Sequence, residues 1–144
     1  MVANAWEFYN SFKEFMGDGT IDLDTDAFVM ALVTSVYTFS AAHTQRSDFS
    51  ANEVSGNGYA ADSLAVTWVL AGATVTFDSD DGAYTASGGS ITARRAIIFD
   101  DTTAAPVDAL CVSSLLDNTP ADVTVTDTNT LTVQINASGV FTLS

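Results

Sequence analysis

The side chains able to do chemistry are few and scattered. The chain has one histidine, His43, and one cysteine, Cys111. A Ser-His-Asp or Cys-His nucleophilic system would have to use His43 as its base. His43 lies in the polar run Ala41-Ala42-His43-Thr44-Gln45-Arg46, where an exposed loop histidine is expected, and nothing in the sequence brings a serine or cysteine to it. Cys111 stands between Asp108-Ala109-Leu110 and Val112-Ser113-Ser114, which read as strand, so a buried small hydrophobe is expected. A single cysteine allows no intrachain disulfide, and one His with one Cys makes no transition-metal ligand set. The sequence therefore predicts no catalytic residue, no cofactor and no enzyme activity.

Carboxylates are more plentiful. Asp22-x-Asp24-x-Asp26 matches the first three ligand positions of a calcium loop. Ala27 then stands where a glycine makes the turn, and Val33 where a bidentate glutamate belongs. The alternation of these acids with Ile21 and Leu23 also fits a strand with aspartates facing solvent, the expectation preferred here. Asp78-Ser79-Asp80-Asp81 and Asp100-Asp101 are acid clusters that turn chemistry explains without an ion. A glycosidase pair needs two acids across a cleft, which spacing alone does not supply. Gly56-Asn57-Gly58 and Gly88-Gly89 precede no helix with a lysine, so they are not phosphate loops. Arg94-Arg95 is the one basic pair; in a strand the two point to opposite faces, and one is expected to meet an aspartate of a neighbouring strand or subunit.

The charge balance narrows the partners. There are 18 Asp plus Glu against 4 Lys plus Arg, a net charge of -14. Such a surface repels nucleic acid and anionic membranes and suits a basic partner, a divalent cation or a salty medium. Most of the acids are aspartates, which favour turns, so the charge is expected at the rims of a β structure. The hydrophobic fraction of 47% is ample for a core and leaves a surplus for partners to cover. No basic segment and apolar run opens the chain, so no secretory signal is predicted. Residues 64–77 are the longest apolar stretch, but Thr67, Gly72, Thr74 and Thr76 interrupt it and it is too short to span a membrane.

The elements that must position these groups follow from periodicity. Asn4 as cap and Glu7 as its capping-box partner predict a helix that starts there. Trp6, Tyr9, Phe12 and Met16 recur at helical spacing, Phe8 and Phe15 widen the stripe, and Gly17 and Gly19 end it. This helix either lids one end of a sheet or docks on a neighbouring subunit. The rest reads as strands over 20–26, 28–37, 64–70, 73–77, 83–87, 90–99, 109–116, 123–126, 130–135 and 140–143, with a long polar loop over 43–58 and a hairpin joining 123–126 to 130–135. The expectation is a mainly β protein: an antiparallel β-sandwich or barrel-like domain with one N-terminal α-helix. It is a single domain over 1–144, with 1–18 the helix and turn and 20–144 the sandwich.

Several blocks resemble a family of small tailed-bacteriophage virion structural proteins. They are Ala5-Trp6-Glu7-Phe8-Tyr9-Asn10-Ser11-Phe12-Lys13, Gly19-Thr20-Ile21-Asp22-Leu23-Asp24-Thr25-Asp26 and Val29-Met30-Ala31-Leu32-Val33-Thr34-Ser35. To these add Glu53-Val54-Ser55-Gly56-Asn57-Gly58-Tyr59, residues 85–94, residues 97–101 and residues 136–143. The family carries a Gly-Gly after the Gly-Tyr block, where this chain has Ala60-Ala61-Asp62. The resemblance implies a component of the virion, and of its roles a capsid decoration (cement) protein. Such a protein would bind the major capsid protein and its own copies, as a homo-trimer, and bridge capsomers. Interface candidates are then Trp6, Phe8, Tyr9, Phe12, Phe15, Arg94 and Arg95. The alternative is a tail- or fibre-associated component or host-binding module, which would show exposed aromatics at loop tips such as Tyr59 or Tyr84.

Overall fold

Six consecutive apolar residues form strand β2, Phe28–Val33, and all six are buried. A strand alternates its side chains, so both faces of the sheet around β2 must be covered. The computed structural model describes residues 3–144 and is mainly β. In chain order the elements are β1 (Glu7–Phe8), α1 (Asn10–Asp18), β2, β3 (Asp62–Leu64), β4 (Val66–Ala71), β5 (Thr74–Ser79), β6 (Gly82–Thr85), β7 (Ile91–Ala93), β8 (Arg95–Ala104), β9 (Val107–Leu115), β10 (Val123–Val125), β11 (Thr130–Val133) and β12 (Phe141–Leu143). Two short 3-10 turns, Arg46–Asp48 and Ser50–Asn52, lie in the long connection between β2 and β3.

Every ladder is antiparallel. The main sheet has the order β1-β9-β8-β2-β3, a second has β12-β5-β4, and two small ladders pair β10 with β7 and β11 with β6. Register sorts the main sheet into two faces. Phe28, Met30 and Leu32 stand opposite Asp100, Ile98 and Ala96, and Val112 opposite both Ile98 and Phe8. This face meets the β12-β5-β4 sheet, where Phe77 lies 5.3 Å from Phe28, and β6, whose Tyr84 hydroxyl donates to the Met30 carbonyl at 2.8 Å. Gly82 sits so close to Met30 that a Cβ there would lie 2.6 Å from the Met30 Sδ, so a larger residue would force the buried thioether to move. The other face carries Val29, Ala31, Val33, Ile97 and Phe99. It is covered by the β2–β3 connection, with Phe49 5.9 Å from Phe99.

Helix α1 starts later than its aromatics suggest. Tyr9 is its N-cap in extended geometry, with no side-chain capping bond, and Gly19 closes it at φ 83. Asn4 and Glu7 do not form a capping box. Asn4 donates to the Leu115 carbonyl at 2.6 Å and Glu7 pairs along β9, opposite Ser113. Sheet pairing has overridden the local helical pattern, because β1 covers the open edge of β9. The aromatics still bury together: Phe8, Phe12, Phe77, Trp68 and Phe141 form one cluster with ring centroids 4.9 to 6.5 Å apart.

Other expected boundaries shift for physical reasons. Residues 20–26 form no strand; Ile21 and Leu23 are buried as expected, but the backbone is turned. The expected strand over 90–99 is two strands broken at Arg94, and β8 runs on through the expected loop to Ala104. The expected hairpin of 123–126 with 130–135 does not form: β10 pairs with β7 and β11 with β6. The break expected at Ala71-Gly72 falls one residue later: Ala71 pairs with Thr74, and Gly72, at φ 63, is the first residue of a two-residue hairpin turn with Ala73.

Phe12 has no exposure and contacts Phe8 and Phe141, so Phe12→Ala should destabilise the isolated chain by about 3–5 kcal/mol, read from the urea midpoint. A loss below about 1 kcal/mol would mean that the ring is not part of the core.

Candidate functional site

The aspartates of the calcium-like run are tied into their own turn. The Asp22 N–H donates to Asp26 Oδ2 at 2.7 Å, the Asp24 N–H to Asp22 Oδ1 at 3.0 Å, and the Asp26 N–H to the Asp22 carbonyl at 3.0 Å. Hydrogen bonds from Asp24 and Thr25 hold the Asp22 carboxyl below the usual range. The same use recurs around the surface: Asp80 accepts from the Ala65 N–H, Asp62 from Ala83, Asp81 from Ile135 and Asp127 from Gly88, at 2.7 to 2.8 Å. Among the described residues, no three His, Cys, Asp or Glu side chains come together to hold a metal ion. Asp22 and Asp26 thus bond the turn through their carboxylates, and Asp24 takes part through its backbone N–H.

Asp26 has a second neighbour. Asp100 is fully buried; its Oδ1 accepts from the Thr102 N–H at 2.7 Å, while its Oδ2 meets no donor. Burial, and then the adjacent Asp26, push the Asp100 carboxyl up to about 6. Two adjacent carboxyl groups can bond only while one keeps its proton, and below about pH 6 that proton would supply the missing donor. Cys111 lies nearby with no exposure, and burial pushes its thiol well up, which makes it an unreactive thiol.

The opposite face of the sheet holds a second polar group. Arg95 is almost buried, bonded through Nε to Ser113 Oγ at 3.0 Å, paired with Glu7, and stacked 4.8 Å above the Phe39 ring. Beside it the Tyr9 and Tyr37 hydroxyls are 3.0 Å apart, and Tyr37 meets His43 Nδ1 at 2.9 Å. His43 is thus half-buried and bonded, not the exposed loop residue expected. Burial first, then its bond to Tyr37, raise the Tyr9 phenol, so it stays neutral. This network fastens the β2–β3 connection and β1 onto the sheet. It holds no nucleophile beside a base: the partner of His43 is a neutral tyrosine.

The interface candidates divide accordingly. Tyr9 and Phe12 are buried, while Trp6, Phe8 and Phe15 are half-buried and packed against the core. Arg95 is engaged within the chain, and Arg94 pairs with Asp122 at 2.7 Å on the surface. Tyr59 and Tyr84 do not stand at loop tips. They stack 5.7 Å apart, with Tyr84 buried and the Tyr59 hydroxyl donating to Glu53 and accepting from the Leu32 N–H. Large exposed hydrophobics lie elsewhere, and among the described residues they include Val69, Leu70 and Leu143 of the β12-β5-β4 sheet. A groove of about 530 Å³ runs beneath this sheet, walled by Trp68 and Leu143 on one side and by Met16, Ile21 and Leu23 on the other. Sequence reasoning missed it because residues 64–77 read as uniformly apolar core strand; the available signal was their complete lack of charge.

No family model, curated protein or solved structure matches the chain.

The Asp26–Asp100 pair fixes a pH dependence. A carboxyl whose folded-state value is raised contributes most stability below its ordinary value of 3.8 and loses it as pH rises through about 6. Asp100→Asn keeps the shape and donates to Asp26 without a proton. The variant should be more stable than the parent by up to about 3 kcal/mol at about pH 8, with the gap closing below about pH 4 in a series of urea titrations. An equal gap at all pH values would mean that the pair does not share a proton.

Proposed function

We propose that this chain is a structural component of a tailed-phage virion, most specifically a capsid decoration protein that binds the major capsid protein and bridges capsomers. The observation that carries this reading is how the ionisable groups are used. The aspartates described above bond turn backbones, the buried acid and arginine are spent on internal pairs, and the surface left for joining is an apolar sheet with a groove beneath it. A bridging protein needs interface area and no reacting group; a standard interface buries about 1,600 Å² in total. Many weak attachments on one shell add up to durable binding. The acidic exterior keeps the particle soluble and fits a basic partner surface.

The tail or host-binding alternative draws less support, because Tyr59 and Tyr84 stack inward. A carbohydrate hydrolase would need two carboxylates facing across a cleft, and Asp22 is the one carboxylate among the residues lining the larger groove.

Copy number per particle, measured by quantitative mass spectrometry, should run to hundreds. Purified protein added to particles stripped of it should restore their heat resistance. A count of a few dozen or fewer would assign the chain to the tail instead.

A further inference from the structure

Strand β4 differs from the other strands at sheet edges. It is six residues long, whereas β1, β3, β6, β7, β10, β11 and β12 have two to four. It runs in unbroken register with β5 and contains no charge and no proline. Sheet edges are normally defended by shortness, charge, proline or a bulge, and β4 has none of these. Its other side faces no strand among the described residues.

The backbone phase of this edge is fixed. The Asp80 N–H donates to the Ala65 carbonyl at 3.0 Å, so Ala65, Thr67, Val69 and Ala71 turn their backbone groups toward β5. Val66, Trp68 and Leu70 therefore present theirs outward. Their side chains also share the inner face of the sheet. There Trp68 packs with Phe77 and Phe141, while Leu70 lies past the packed aromatics and is 67% exposed.

We propose that β4 pairs antiparallel with β4 of a second copy about a two-fold axis, joining two three-stranded sheets into one. In the register of greatest overlap, Trp68 stands opposite its own equivalent and Leu70 opposite Val66 of the second copy. That brings Leu70 beside the second copy's tryptophan and covers it. Charge identifies the occupant. A chain of net charge -14 repels its own copy wherever acids meet, but residues 64–77 carry no ionisable side chain. Two copies can close here without setting acid against acid, whereas a basic partner is drawn to the aspartate-bearing turns. The pairing is independent of the shell assignment and gives two-fold symmetry in place of the three-fold ring implied by the resemblance.

The test is sedimentation equilibrium on the purified chain. The wild type should be a dimer with Kd below about 100 µM. The dimer should tighten as salt rises from about 0.1 to about 1 M, since screening shortens from about 10 to about 3 Å and weakens the acid repulsion. Val69→Lys and Leu70→Lys should be monomers, and Val107→Lys, at an exposed site on β9, should remain a dimer. If the lysine variants lose their circular-dichroism signature, Leu70→Pro decides, because it removes an outward N–H and leaves the bonds to β5. A wild-type monomer or trimer, a dimer that survives both lysine changes or the proline, or a dimer lost equally in Val107→Lys would overturn the proposal.

Discussion

Strand β2 is buried on both faces, and the remaining architecture answers that demand. One face is covered by other strands, which bring their own hydrogen-bonded backbone with them. The other is covered by a long irregular connection, whose backbone groups need partners one by one. The connection and the β2 backbone supply them to each other: the Tyr59 hydroxyl, from the connection, accepts from the Leu32 N–H, the Leu32 carbonyl accepts from the Val54 N–H, and the Thr34 N–H donates to the Asn52 carbonyl. Arg95 belongs to this side. Its guanidinium is almost out of water yet has a carboxylate, a hydroxyl and an aromatic ring around it, which offsets the cost of burying a charge.

The acidity of the chain and its irregular topology have a common origin. Strands that leave one ladder and join another must change direction sharply, and aspartate is well suited to such corners because its carboxylate can take the place of a backbone acceptor. Asp62 reaches Ala83, and Asp81 reaches Ile135, each across more than one element. Removing acids to make the surface more neutral would therefore loosen the corners. The net charge is in part a by-product of how the sheets are stitched together.

Much of this was legible in the residues. The continuous apolar run of β2, the glycine turn at Gly72, the buried cysteine and the antiparallel β class all follow from local pattern. Two features escaped because sheet pairing is decided by distant residues, and a third because a local turn can bury alternate residues as a strand does. Residues 4–9 carry helical spacing, yet Glu7 and Phe8 are claimed by β9. Residues 123–126 and 130–135 have the form of a hairpin, yet each prefers a partner from the β6 and β7 region. The alternation at Ile21 and Leu23 marks burial correctly but comes from a turn held by Asp22. The apolar edge of β4 was hidden for a different reason: a strand with no charged residue and a single threonine gives almost no periodicity, so its exposed and buried sides look alike.

Cys111 occupies the irregular step where Ile98 pairs with Val112 and Phe99 with Leu110, between the two most extensive strands. Its sulfur has no exposure, and its surroundings keep it a thiol. A soluble thiol reagent can meet it only when the layer that covers its face of the main sheet lifts away, an opening that uncovers the core. The chain thus carries one natural chemical reporter of that opening, silent in the folded protein and needing no introduced label.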